Sequence, residues 1–307
     1  MTHSQTFEVL ILGSSAATPT STRNPTAQLL NVAERFFLID CGEGTQIQMR
    51  RYKARFQSVN HIFISHLHGD HFLGLPGFLA SMHLLGRKNE LVIYGPKELE
   101  EIITIIHKHS DTYLNYPLRF VATQNQQMEL LWEDDKVEVH SFPLQHRVRT
   151  TGFLFREKPL PRNIDKYKLE KLDVSFAEIH KLKKGMDATD NQGNIISNAD
   201  LTFEPPAPRS YAFCSDTRFF PELAGYIQGV DMLYHESTFL DDRADRAEVT
   251  FHSTASQAAR MAALAGAGQL LLGHFSARYT ELDDFLKEAS PYFSNVSLAT
   301  EGRTVTL

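Results

Sequence analysis

The sequence predicts an α/β protein. Short apolar runs of strand length recur along the chain, segments of helical spacing lie between some of them, and several of the runs end in a His or an Asp. One rim of the sheets therefore collects the reactive side chains. The chain has 307 residues, of which 42% are hydrophobic and 22% charged, enough to bury one large core or two smaller ones without disulfides. That composition excludes a disordered or collagen-like chain. A length of about two domains at roughly 150 residues each leaves the count open, because sandwiches above about 200 residues often form one domain.

The elements follow in order. Phe7 to Leu12 reads as a buried strand, and Gly13 to Thr20 as a loop of turn residues. Phe36 to Ile39 is a strand running into Asp40-Cys41-Gly42-Glu43-Gly44-Thr45, and His61 to Ser65 is another, opening into His66-Leu67-His68-Gly69-Asp70-His71. Leu73 to Leu85 has the composition of a helix, and Leu91 to Tyr94 returns as a strand. Val137 to Phe142 and Phe153 to Phe155 are strands flanking His146. A charged, proline-punctuated stretch then interrupts the pattern until Pro205-Pro206. Beyond it, Tyr211 to Cys214 ends at Ser215-Asp216, Asp231 to Tyr234 at His235-Glu236, and Gln269 to Leu272 at Gly273-His274. Ser253 to Leu264 reads as a helix capped by Ser253 or Thr254.

Charge narrows the partners. With 31 basic and 37 acidic residues the net charge is −6, which argues against coating nucleic acid through bulk charge. From Arg156 to Lys184, however, nine Lys/Arg face five acids. Arg50, Arg51, Lys53 and Arg55 form a second basic group, read as an exposed helix face. No apolar run approaches the roughly 18 residues of a membrane span, and the start, MTHSQTFEV, lacks a basic segment followed by an apolar one, so a soluble cytoplasmic protein is expected. Cys41 and Cys214 read as buried free thiols.

His66, His68, Asp70 and His71 fall within six residues at a strand end, with Gly69 permitting a sharp turn between them. His66 and His68 can serve one ion while the turn sends Asp70 and His71 toward a second. Imidazole with carboxylate suits zinc, and less selectively manganese or iron. Single histidines such as His61, His83, His107 and His140 are better read as surface or hydrogen-bonded core residues. The other strand ends supply His146, Asp216 and His274, and a carboxylate such as Asp216 can bridge two ions about 3.5 to 4 Å apart, the spacing of two-metal hydrolases. Asp70 is the candidate general base.

HLHGDH at 66–71 matches the His-x-His-x-Asp-His signature of the metallo-β-lactamase superfamily. DCGEGTQ (40–46), SHLHGDHFLGLPG (65–77), SDTR (215–218), HEST (235–238), HST (252–254) and HFSARY (274–279) together resemble the narrower ribonuclease Z family of tRNA 3′-processing endonucleases. The resemblance implies a single αβ/βα sandwich over 1–307 with an inserted, tRNA-gripping arm at about 156–206. It implies two Zn2+ per chain, one held by His66, His68 and His146, the other by Asp70, His71 and His274, with Asp216 between them. Glu236 and His252 match residues that help protonate the leaving 3′ oxygen, and Arg278 a position near the scissile phosphate. The implied substrate is precursor tRNA, cut to leave a 3′-hydroxyl on the tRNA and a 5′-phosphate on the trailer, and the implied assembly is a homodimer.

Two positions depart from the family pattern. Val174 to Glu178 stands where many members carry a Pro-Pro-Gly-Pro-like tip, and Ser215 stands where Gly is common before the bridging Asp. The competing expectations are a phosphodiesterase or sulfatase of the same superfamily acting on small substrates, and a catalytically inactive RNA-binding subunit. The basic stretch weighs against the first and the seven filled ligand positions against the second.

Overall fold

A computed structural model describes residues 5–307; the first four residues of the MTHSQTFEV start lie outside the described residues. The chain divides into two compact units, Gln5–Arg156 with Arg209–Leu307, and Glu157–Pro208.

The larger unit is built on two seven-stranded sheets. The first orders its strands as Thr304–Thr306, Phe7–Gly13, Ala27–Val32, Arg35–Ile39, Val59–Phe63, Leu91–Gly95 and Leu118–Ala122. The second runs Val296–Leu298, Gln269–Gly273, Met232–Glu236, Ser210–Cys214, Thr150–Glu157, Val137–Leu144 and Glu129–Glu133. Phe37, Phe63, Phe153, Phe155, Phe213 and Tyr234 pack in one cluster contributed by both sheets. A second cluster joins the first sheet to the helices Leu75–Leu84 and Glu98–His109 through Phe78, Leu79, Met82 and Ile103. A third joins the second sheet to Ala255–Ala265 through Ala258, Ala259 and Ala262. The result is the αβ/βα sandwich.

The burial pattern explains the strands. Leu91–Gly95 and Met232–Glu236, parallel to both neighbours, and Ser210–Cys214, parallel to one neighbour and antiparallel to the other, are buried at every position, as strands covered on both faces must be. Val137–Leu144 alternates instead: Val137 and Val139 enter the inter-sheet core, while Phe142 and Leu144 face the helices. Ala27–Val32 carries no clear strand signal because Gln28 interrupts it, yet Gln28 is fully buried and accepts a hydrogen bond from the Tyr211 hydroxyl.

Helix boundaries follow local chemistry. The helix expected over Leu73–Leu85 runs Leu75–Leu84, with Pro76 in its first turn, and a separate short helix, Gly69–Phe72, precedes it. The helix expected at Ser253 to Leu264 runs Ala255–Ala265, and its cap is Thr254, whose hydroxyl accepts from the Gln257 amide while the Gln257 side chain returns to the Thr254 amide.

The smaller unit, Glu157–Pro208, contains two two-stranded ribbons and three short helices around Leu182, Ala188 and Leu201. Ser175 caps the helix Phe176–Lys183, so the segment Val174 to Glu178 forms a helix start. Taken whole, this unit carries eight Lys/Arg and nine Asp/Glu, so the basic surplus is local to the stretch ending at Lys184. Among the described residues no helix is long and apolar enough to cross a membrane.

Candidate metal centre

The carboxyl ends of the parallel strands converge on one rim, the position where open α/β sheets place their ligands. Asp40 follows Arg35–Ile39, His66 and His68 follow Val59–Phe63, Asp216 follows Ser210–Cys214 and His274 follows Gln269–Gly273. Asp40 and His274 adopt left-handed backbone conformations, with φ of 54° and 58°, turning the chain sharply out of each strand. The helix Gly69–Phe72 brings Asp70 and His71 onto this rim. It is seated by close backbone approach: a Cβ on Gly42 would lie 2.5 Å from the Asp70 carbonyl oxygen, and one on Gly74 would lie 2.1 Å from that of Gly42.

The seven sequence-predicted ligands meet in two groups. His66, His68, His146 and Asp216 form one, Asp70, His71 and His274 the other, and within each group the potential ligand atoms lie within 4.8 Å of one another. Asp216 faces both. Its Oδ2 is 3.5 Å from His66 Nε2 and 3.7 Å from His146 Nε2, while its Oδ1 is 3.3 Å from His71 Nε2 and 3.1 Å from His274 Nε2. Asp70 Oδ2 lies 3.4 Å from both His71 Nε2 and His274 Nε2, and accepts a 2.7 Å hydrogen bond from the Ala17 amide.

The ring nitrogens pointing away from the cluster are individually satisfied. His71 Nδ1 donates to Asp40 at 2.7 Å, His146 Nδ1 to the Phe251 carbonyl at 2.9 Å, His274 Nδ1 to the Thr238 hydroxyl at 2.9 Å, and His66 Nδ1 to the Ser65 hydroxyl at 3.0 Å. Ser65 in turn donates to Asp40 through its hydroxyl and its amide, so Asp40 holds one ring of each group. The inner nitrogens confront each other instead: His68 Nδ1 is 3.1 Å from His66 Nε2 and 3.2 Å from His146 Nε2, and His71 Nε2 is 3.3 Å from His274 Nε2. Two imidazoles whose outer nitrogens already carry the proton have only lone pairs to offer there. A divalent cation completes that arrangement, so the donor set fits a metal site.

The field agrees. Burial opposes charge on His71, but Asp70, Asp216 and Asp40 outweigh it and lift the ring well above its ordinary value. His66 is pushed down to about 3 by burial and by the neighbouring His71. Asp216 is held well below the usual carboxylate range because the surrounding imidazoles outweigh its desolvation. Three carboxylates thus demand positive charge at the rim, and a cation there supplies it while leaving the rings neutral.

Glu236 is fully buried behind His252. Its Oε1 accepts from His252 Nδ1 at 2.8 Å and from the Thr217 and Ser253 amides, and its Oε2 accepts from the Thr238 amide and hydroxyl. It therefore acts through His252, and through Thr238 on His274. His252 and Arg278 line the cleft over the cluster. His61 lies apart, packed among Phe37, Tyr94 and Trp132.

Sequence reasoning passed over Asp40, Ser65 and Thr238. Asp40 and Thr238 sit inside motifs at strand ends, which was the available signal. The Ala17 amide and the Phe251 carbonyl are backbone groups and leave no trace in residue identity.

A carboxylate, Asp216, that faces two His/Asp groups able to hold metal at the rim of an αβ/βα sandwich defines a metal-dependent hydrolase of the metallo-β-lactamase fold. A family model described as Anti-Pycsar protein Apyc1 matches residues 7–263. Curated relatives named Ribonuclease Z include one from Cytophaga hutchinsonii, 49% identical over 96% of this chain and 95% of its own, and one from Bacteroides fragilis, 44% identical over 98% and 99%. Among solved structures, the short form of human tRNase Z is similar at TM-score 0.70 and 27% identity, covering 97% of this chain and 98% of its own. YhfI from Bacillus subtilis, a metallo-β-lactamase fold protein, shares the fold at TM-score 0.70 and 18% identity, covering 99% and 100%. The Apyc1 match stops short of His274 and Arg278, whereas the ribonuclease Z relatives span nearly the whole chain. The chain belongs to the ribonuclease Z family.

Proposed function

We propose that this chain removes the 3′ trailer from precursor tRNA as a dizinc endoribonuclease, leaving a 3′-hydroxyl on the tRNA and a 5′-phosphate on the trailer. The observation that carries the proposal is the pair of ligand groups sharing Asp216, in a chain similar over nearly its full length to proteins named Ribonuclease Z. His66, His68 and His146 would hold one Zn2+, Asp70, His71 and His274 the other, with Asp216 common to both. When bound, such a pair activates water near neutral pH and stabilises charge on the reacting phosphate. Manganese or iron would suit the same donors.

The chain's own residues supply the rest. Asp70, with one carboxylate oxygen anchored by the Ala17 amide, accepts the proton of the attacking water. His252, held by Glu236 through Nδ1, keeps Nε2 for the leaving 3′ oxygen and donates a proton to it. Arg278, exposed at the cleft, clamps phosphate oxygens. The unit Glu157–Pro208, with its basic stretch, is the tRNA-binding arm inserted in a single sandwich domain, and the protein works as a cytoplasmic homodimer. Exposed Ile47, Leu73, Leu84 and Leu85 give the larger unit apolar surface for such an assembly.

The deciding experiment incubates the purified protein with a precursor tRNA carrying a 3′ trailer, maps both ends at the cut and determines bound metal by elemental analysis. Cleavage after the base preceding the trailer with about two metals per chain supports the proposal. Uncut RNA beside rapid hydrolysis of a small phosphodiester would favour a small-substrate enzyme instead.

A further inference from the structure

The cleft above the cluster has a volume of about 530 Å³. Apart from the ligand groups and His252, its charged lining is Arg147, Arg246, Arg278 and Glu43. Three guanidinium groups against one carboxylate is a local reversal of the chain's net −6. Arg35, Arg55, Arg119, Arg156, Arg162 and Arg218 all pair with carboxylates. Arg147 and Arg246 are exposed and have no carboxylate partner among the described residues.

Their placement is specific. Arg147 directly follows the ligand His146. Arg246 lies on the helix Ala244–Thr250, and Thr250, one turn further on, lines the same cleft before the chain reaches Phe251 and His252. The Phe251 carbonyl accepts from His146 Nδ1, which ties the two segments together on the His146 side of the cluster. Arg278 follows His274 and so belongs to the other ligand group.

We infer that Arg147 and Arg246 form a second anion clamp, which holds the backbone phosphate adjacent to the scissile one on the His146 side. Arginine suits this task because its charge persists at all working pH and its planar fork meets phosphate oxygens with two parallel hydrogen bonds. An isolated phosphodiester has no such neighbouring phosphate. The clamp therefore selects a polynucleotide over a small ester within the cleft itself, in addition to any grip by the arm. This rests on the endoribonuclease function proposed above.

The test compares Arg147→Ala, Arg246→Ala and the double variant with the unmodified protein on trailer-bearing precursor tRNA and on bis(p-nitrophenyl) phosphate. Each single change should raise KM for the RNA about tenfold, the effect of removing one charge-assisted hydrogen bond. The double variant should also flatten the salt dependence of RNA cleavage by about 0.7 in log–log slope, the amount for one single-strand phosphate that is no longer neutralised. The loss on RNA should exceed that on the ester at least tenfold in the double variant, and Arg→Lys should recover the salt slope but only part of the KM. Equal losses on the two substrates, or an unchanged KM and salt slope on RNA, would overturn the clamp. Failure of the unmodified protein to cut the RNA would instead overturn the function on which it rests.

Discussion

Glu236 Oε1 sits 2.8 Å from His252 Nδ1, with the carboxylate fully buried and the imidazole at the edge of the cleft. The pairing fixes the ring's orientation and leaves Nε2 as its working atom. Burial opposes charge on His252, but Glu236, with Asp216 and Asp70, lifts it to about 9. A general acid must be protonated, so turnover should fall as pH rises through this raised pKa. Glu236→Gln removes the main lifting charge and should move that falling limb to lower pH, measured as a kcat profile. Cations at the cluster oppose part of the lift without changing the sign of the Glu236 effect. His252→Ala should slow RNA cleavage by about 10² to 10⁴ and slow a nitrophenyl phosphodiester far less, because a good leaving group needs little protonation. Equal slowing on both substrates would remove His252 from the acid role.

Asp70→Ala should reduce turnover by two or more orders of magnitude (~10²–10⁴) while leaving RNA affinity nearly intact. In the proposed function the phosphate contacts made by other residues would carry the binding. Single-turnover cleavage and equilibrium binding measured side by side decide it, and a parallel fall in both would make Asp70 structural.

Asp40 supports His71 directly and His66 through Ser65. Asp40→Asn should therefore weaken metal retention by about 10- to 100-fold, the usual consequence of losing a partner behind the ligands. Competition against a chelator measures this, and added metal should restore part of the activity. Unaltered retention would show that the rings hold their orientation without the carboxylate.

Six lysines lie between Asp165 and Lys184, all exposed. Lys168 and Lys181 face Asp165 and Glu178, which leaves Lys166, Lys171, Lys183 and Lys184 without carboxylate partners among the described residues. Deleting the stretch would also remove Leu182 from the unit's small core, so substitution is the cleaner probe. Replacing these four lysines with Ala should weaken precursor tRNA binding and reduce its salt dependence by about 0.9 in log–log slope for each duplex phosphate released. Hydrolysis of a small phosphodiester should change far less. An unaltered affinity and slope would make the stretch a solvated face.

Much of the centre was legible in the chain itself, because its chemistry is concentrated in contiguous motifs. His66, His68, Asp70 and His71 occupy six residues, and Asp216, Glu236 and His274 each stand at the end of an apolar run whose burial is dictated by composition. Strand polarity alone sends such residues to one rim. What only the tertiary structure decided is pairing across long separations. Asp216 aims one oxygen at each ligand group, the Phe251 carbonyl orients His146, and the Ala17 amide reaches Asp70. Glu236 withdraws behind His252 because five donors from the polypeptide saturate it. Residue identity records a side chain's chemistry, but backbone donors and the direction of a carboxylate depend on how separate strands and loops pack, and neither is written in any local segment.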